Sequence, residues 1–130
     1  MQTDSTQRPS DDELKKISRG TVLWVDLDPS KGSEQKKTRP CVVVSSDLHN
    51  DRLDTLIVVP ISSSKGRPPR PHEVFITASE GGLPEDSLAQ PIQIRTIDRK
   101  ARVMSIKGRL TDSTMGQIGF RLFGVLGGLP

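Results

Sequence analysis

Two groups of side chains in this 130-residue sequence stand where phosphate chemistry is possible. Arg39 ends the polar loop 28–38 and is followed by Pro40 and the apolar run Cys41-Val42-Val43-Val44. A buried strand starting there would hold a cation rigidly at the mouth of a site, with the loop over it. A guanidinium is planar, permanently charged and rich in donors, which suits phosphate oxygens and developing negative charge. The same position also suits a surface ion pair with Glu34. Ser62, Ser63 and Ser64 directly follow a second apolar run, 56–61. Hydroxyls there can donate to a phosphate oxygen or orient a substrate hydroxyl; they can equally form a plain loop. Glu34 and Gln35 offer an acceptor and an amide that can read a base edge or merely solvate the loop.

The charge balance is mildly basic, with 19 Lys and Arg against 16 Asp and Glu. Its distribution says more than its sum. Arg95, Arg99, Lys100, Arg102, Lys107 and Arg109 crowd one stretch that holds a single acid, Asp98. Lys65, Arg67, Arg70 and His72 form a second stretch with no acid. Two basic stretches flanking one site suit a polyanion, although charge runs also serve as solvated faces. Aromatic residues are few: Trp24, three Phe and no Tyr. Stacking of bases on exposed rings therefore has little material, and Trp24 is expected in the core. No nucleophile elbow and no phosphate-binding glycine loop is present. The two histidines are not at ligand spacing, so no metal site and no cofactor are expected. Cys41 lies in an apolar run and is expected to be a buried thiol. No signal peptide and no apolar stretch near membrane-spanning length is found, which leads to the expectation of a soluble protein in a reducing compartment.

These residues must be positioned by short strands. Residues 1–18 are polar and are expected to be a flexible extension, the first nine mobile. The capping box Ser10-x-x-Glu13 starts a short helix over 11–17. Strands are expected at 21–27, 41–46, 56–61, 72–77, 87–96 and 102–110, with 47–54 as a turn. Pro60 predicts an edge position or a bulge. Thr111 or Asp112 caps a final helix, whose stripe Met115, Ile118, Leu122 and Val125 is expected to pack on its own sheet, leaving other faces for association. The expected fold class is α+β, mainly β: one domain with a single core, a small antiparallel barrel or strongly bent sheet carrying helices.

Six pieces in order carry a resemblance: Arg19-Gly20, Trp24-Val25-Asp26-Leu27-Asp28-Pro29, Gly32-Ser33-Glu34-Gln35, Thr38-Arg39-Pro40, Val59-Pro60-Ile61-Ser62 and Gln93-Ile94-Arg95-Thr96-Ile97-Asp98. Together they resemble the MazF/PemK family of type II toxin–antitoxin endoribonuclease toxins, over residues 19–127. The resemblance implies that 19–130 form a toxin domain, an SH3-like barrel of the kind shared with CcdB-type toxins, working as a cytoplasmic homodimer. It implies sequence-specific, metal-independent cleavage of single-stranded RNA, usually mRNA, with no cofactor and no membrane. The 2′-hydroxyl would attack the adjacent phosphorus and leave a 2′,3′-cyclic phosphate and a 5′-hydroxyl. A cognate antitoxin would wrap the dimer and block the RNA groove. By the same resemblance Arg39 is the acid or phosphate stabiliser and Ser62 the hydroxyl after the third strand. Ser33, Glu34 and Gln35 fall on the loop over the RNA. Ser63, Ser64, Lys65, Gln93 and Arg95 complete the expected RNA contacts.

Two positions depart from the family pattern. Ile92 stands where many members carry an acid, and Ser33 where one branch has histidine. A lone serine hydroxyl is a poor base near neutral pH. The sequence therefore leaves open a second reading, a non-catalytic RNA-binding or gyrase-targeting toxin on the same barrel.

Overall fold

The structure is a computed structural model that describes residues 7–128. Helix α1 (Asp11–Lys15) opens the described chain and is followed by β1 (Thr21–Asp26), β2 (Thr38–Val43), α2 (Asp47–Asn50), β3 (Thr55–Ser63), β4 (Val74–Ile76) and β5 (Ser87–Ala89). After a 3-10 turn at Pro91–Gln93 come β6 (Arg95–Asp98), α3 (Arg99–Arg102), β7 (Val103–Arg109) and α4 (Asp112–Val125). All the strand pairs are antiparallel, in the order β4-β5-β3-β2-β1-β7, with β6 added beside β3. The fold is mainly β with a few helices, as expected, but the barrel is not closed. No ladder joins β4 to β7 among the described residues.

β3 is the hub because it is long enough to serve three partners. Its first residues pair with β6, its middle with β2 and its last three with β5. Pro60 therefore lies in a buried central strand, not at an edge. Its carbonyl accepts from Gln90 N at 2.9 Å, so its missing N–H faces that same side. That is where β3 changes partner from β6 to β5, and no ladder bond is lost. Pro91 likewise splits the strand expected over 87–96 into β5 and β6, which raises the count from six strands to seven.

The single core expected from chain length is divided by the sheet. Val22, Val42, Val59, Ile61, Met115 and Ile118 pack on the α4 side. Leu14, Leu23, Val43, Val58, Ile97 and Val103 pack on the other. Successive strand residues face opposite ways, so a sheet covered on both faces needs unbroken apolar runs such as Val42-Val43 and Val58-Val59. Cys41 is fully buried, and burial pushes its thiol up to about 12 against the weaker pull of Arg95 and Arg39.

The second cluster is closed from outside by the N-terminal segment. Ser10 and Glu13 form the reciprocal capping box, and Leu14 and Ile17 are buried. Arg8 Nε donates to the Val103 carbonyl at 3.3 Å. Of the extension expected to be flexible, residues 1–6 lie outside the described residues and α1 is seated on the sheet.

The turn at Glu80–Gly82 approaches β7 more closely than any side chain permits. Gly82 has a φ of +78°, and a Cβ there would sit 2.7 Å from the Lys107 carbonyl oxygen. Gly82→Ala combines a left-handed backbone with a backbone clash, so a loss of about 3 kcal/mol is expected in urea unfolding. The turn matters for function because it delivers Leu83, Pro84 and Glu85 to the site described next.

Candidate active site

A cleft of about 320 Å³ opens between the start of β2, the end of β3 and residues 83–85. Arg39, Ser62, Ser63, Trp24, Lys37 and Glu85 are among its walls. Arg39 is not on the loop before a strand, as expected, but inside one. β2 begins at Thr38, and Arg39 pairs with Val25 of β1. Its side chain is half-buried, and Nε donates to the Lys36 carbonyl at 2.9 Å. That bond leaves the two terminal nitrogens without a protein partner among the described residues. The guanidinium is thus held by one edge and offers the other to the cleft.

Ser62 enters from β3, opposite Leu88 of β5. Its oxygen accepts a 3.2 Å hydrogen bond from Gln90 Nε2. The same nitrogen donates to Glu73 Oε2 at 2.8 Å. Arg67 donates to both Glu73 oxygens at 2.8 Å, and Arg70 N donates to Oε1 at 2.8 Å. The Glu73 side chain is 1% exposed. The Arg67 guanidinium, helped by Arg70 N–H and the Gln90 amide, holds its carboxyl down at about 2 against the opposing effect of burial. This chain of bonds fixes the Ser62 oxygen as an acceptor toward the interior, which leaves its proton to donate into the cleft.

Trp24 is the clearest residue that the sequence reading misplaced. It is half-buried, opposite Pro40, with Lys107 Nζ 5.5 Å from its ring centroid. Trp24 shares the α4-side face of β1 with Val22, but α4 packs mainly against β4 and the Pro91–Gln93 turn, which leaves the indole partly open at the cleft. An indole beside a cation can stack on a base, contributing about 1–3 kcal/mol. Trp24→Ala is expected to raise the RNA dissociation constant about tenfold or more, measured by fluorescence anisotropy with a short single strand.

The other candidate residues gather elsewhere. Glu34, Gln35, Ile92, Gln93 and Arg95 line a separate groove of about 230 Å³. Gln93 spends both ends of its amide on the loop: Oε1 accepts from Gln35 N at 3.3 Å and Nε2 donates to the Ser33 carbonyl at 3.2 Å. Glu34 Oε1 accepts from Lys31 N at 2.8 Å. Arg95 donates to the Leu27 carbonyl at 3.1 Å. Loop 28–38 therefore joins the two grooves, pinned at several points along its length. Ser64 is buried and accepts from Gly66 N at 3.3 Å, supporting the turn where Lys65 adopts a φ of +50°.

Most of the basic stretch is used internally. Buried Arg99 donates to the Leu14, Asn50 and Leu53 carbonyls. Arg102 reaches the Asp26 and Asp28 carbonyls, and Arg109 the Arg19 carbonyl. These arginines tie the carbonyl ends of distant segments together. Among the described residues, the cations free to face a polyanion at the cleft are Arg39, Lys37 and, beside Trp24, Lys107.

No helix among the described residues is long and apolar enough to cross a membrane. Comparison with known proteins places this geometry in a context. The family described as PemK-like, MazF-like toxin of type II toxin–antitoxin system matches residues 18–124. Endoribonuclease MazF9 of Mycobacterium tuberculosis is 37% identical over 107 residues, which span 78% of this chain and 89% of that protein. The endoribonuclease toxin MazF of Escherichia coli is 33% identical over 109 residues, 83% of this chain and 92% of that protein. A solved mycobacterial endoribonuclease in complex with its cognate antitoxin shares the fold, with a TM-score of 0.66, 23% identity and coverage of 88% of this chain and 95% of that one. With the matched segment running from the end of the N-terminal extension to the last turn of α4, the chain belongs to the PemK/MazF family of type II toxin–antitoxin toxins.

Proposed function

We propose that the protein is a toxin endoribonuclease that cuts single-stranded RNA without a metal, at short sequence motifs. The observation that carries this reading is the convergence of Arg39 and the Ser62 hydroxyl in one cleft beside an indole. The chemistry follows from those groups. The 2′-hydroxyl attacks the adjacent phosphorus, the P–O5′ bond breaks, and a cyclic phosphate and a 5′-hydroxyl remain. Negative charge grows on the non-bridging oxygens along that path. The unpartnered edge of Arg39 stabilises that charge, and Ser62 donates to one of the oxygens. Trp24 stacks a neighbouring base, and DNA is spared because it lacks the nucleophile.

Residues 19–130 form the toxin domain in this reading, and 1–18 an extension whose helix α1 covers one face of the sheet. The protein acts in the cytoplasm, as a homodimer restrained by a cognate antitoxin. An apolar surface fit for such association is available on α4. Met115 and Ile118 are buried against the sheet, whereas Phe120, Phe123 and Leu126 are more than half exposed.

The test is incubation with a long single-stranded RNA in EDTA, with every new end mapped. Discrete cuts bearing 5′-hydroxyl ends are expected. RNA that is bound but uncut would overturn the nuclease reading and favour the non-catalytic one; RNA neither bound nor cut would favour a protein target such as gyrase.

A further inference from the structure

Resting on that nuclease reading, we propose that Glu85 is the general base that takes the proton from the attacking 2′-hydroxyl. The Arg39 guanidinium has no acceptor to offer, and a serine hydroxyl such as Ser62 is too weak a base near neutral pH, so neither can play that part. The other nearby carboxylates are unsuited or elsewhere. Glu73 is buried, saturated with hydrogen bonds and paired with Arg67. Glu34 lines the other groove and is engaged by Lys31 N. Position 92 is isoleucine. Glu85 is the one carboxylate among the residues that line the Arg39–Ser62 cleft.

Its placement is built from the backbone upward. The Gly81-Gly82 turn is pressed against β7, Leu83 is buried, and Pro84 fixes the chain before Glu85. Ser63 Oγ donates to Glu85 Oε1 at 2.7 Å, and the Ser87 hydroxyl donates to the Glu85 carbonyl at 2.8 Å. Ser63, the chain neighbour of Ser62 in β3, therefore anchors one carboxylate oxygen, and Oε2 is left without a protein partner among the described residues. The charged groups that face it across the cleft are Lys37 and Arg39. Adjacent Asp86 turns away, accepting from Ala78 N at 2.8 Å.

The step balances without a co-reactant. The O2′–P bond forms as the 2′ proton passes to Glu85, and the P–O5′ bond breaks as the 5′ oxygen takes a proton from water. Glu85 then returns its proton to solvent.

Single-turnover cleavage in EDTA at neutral pH tests this with wild type, E85Q, E85D, E85A and R39A. E85Q is expected to lower the rate about 10²–10⁴-fold with little change in KM or melting temperature. E85D should recover part of the rate, and formate or acetate should restore activity to E85A. An E85Q enzyme cutting at nearly the wild-type rate, beside an inert R39A, would overturn the role of Glu85 and leave the nuclease reading intact. Loss of activity with lowered melting temperature and no rescue would also overturn it, in favour of a structural staple to Ser63. Absence of cutting by the wild type would overturn the nuclease reading together with the base.

Discussion

Arg39→Ala is expected to lower the single-turnover rate of RNA cleavage about 10²–10³-fold, the loss that follows removal of one preorganised donor to developing charge. The fold should survive, because the Arg39 side chain makes a single hydrogen bond among the described residues, from Nε to the Lys36 carbonyl, and is only half-buried. A stability change of about 1 kcal/mol or less is expected. Arg39→Lys should recover little. Lysine supplies a point charge, whereas the structure uses one edge of a fork for anchoring and the other for the cleft. Rates and thermal melts on the same preparations check both halves. A fully active Arg39→Ala enzyme would remove the cleft from the account.

Glu73→Gln should produce a large and pH-dependent loss of stability. The carboxylate holds two Arg67 bonds, the Arg70 N–H and the Gln90 amide while almost completely buried. Its pKa is held at about 2 instead of 4.5. A folded-state value below the unfolded one stabilises the fold above the unfolded pKa. That contribution, about 3 kcal/mol, is present at neutral pH and lost as pH falls from about 4.5 towards 2. Urea unfolding at neutral pH should thus show a deficit of that order for Glu73→Gln, and the deficit should shrink towards pH 3. The variant should also cut RNA more slowly than its remaining fold predicts, because Gln90 loses its anchor and Ser62 its fixed orientation. A pH-independent stability difference would contradict the assignment of this carboxylate as the ionised centre of the network.

What the sequence made legible were the features that repeat locally. The apolar runs in β2 and β3 announced buried strands, and the capping box announced α1. The α4 stripe of Met115 and Ile118 lies where its period put it. The Arg-Pro pair and the serines after β3 pointed to two sides of what is one cleft. The remainder depends on partners far apart in the chain. Arg99 looks like part of a solvated basic run until it is seen donating to Leu14, 85 residues away. Arg67 looks free because Glu73 falls just beyond the acid-free stretch. Gln90 carries no motif, yet it connects Glu73 to Ser62. Trp24 sits among apolar strand neighbours, which predicts burial, and only the extent of α4 decides that it is uncovered. Glu85 follows a Gly-Gly-Leu-Pro turn whose approach to Lys107 cannot be read from residue types.

The most direct test of the account is a pair of RNA oligonucleotides containing one mapped cut site, identical except for a single 2′-deoxynucleotide on the 5′ side of the scissile phosphate. Cleavage of the all-ribose strand is expected, and none at that phosphate in its deoxy counterpart, with both strands bound about equally well. Cleavage of the deoxy strand at the same bond would show that the 2′-hydroxyl is not the nucleophile and would contradict the roles given to Arg39, Ser62 and Glu85.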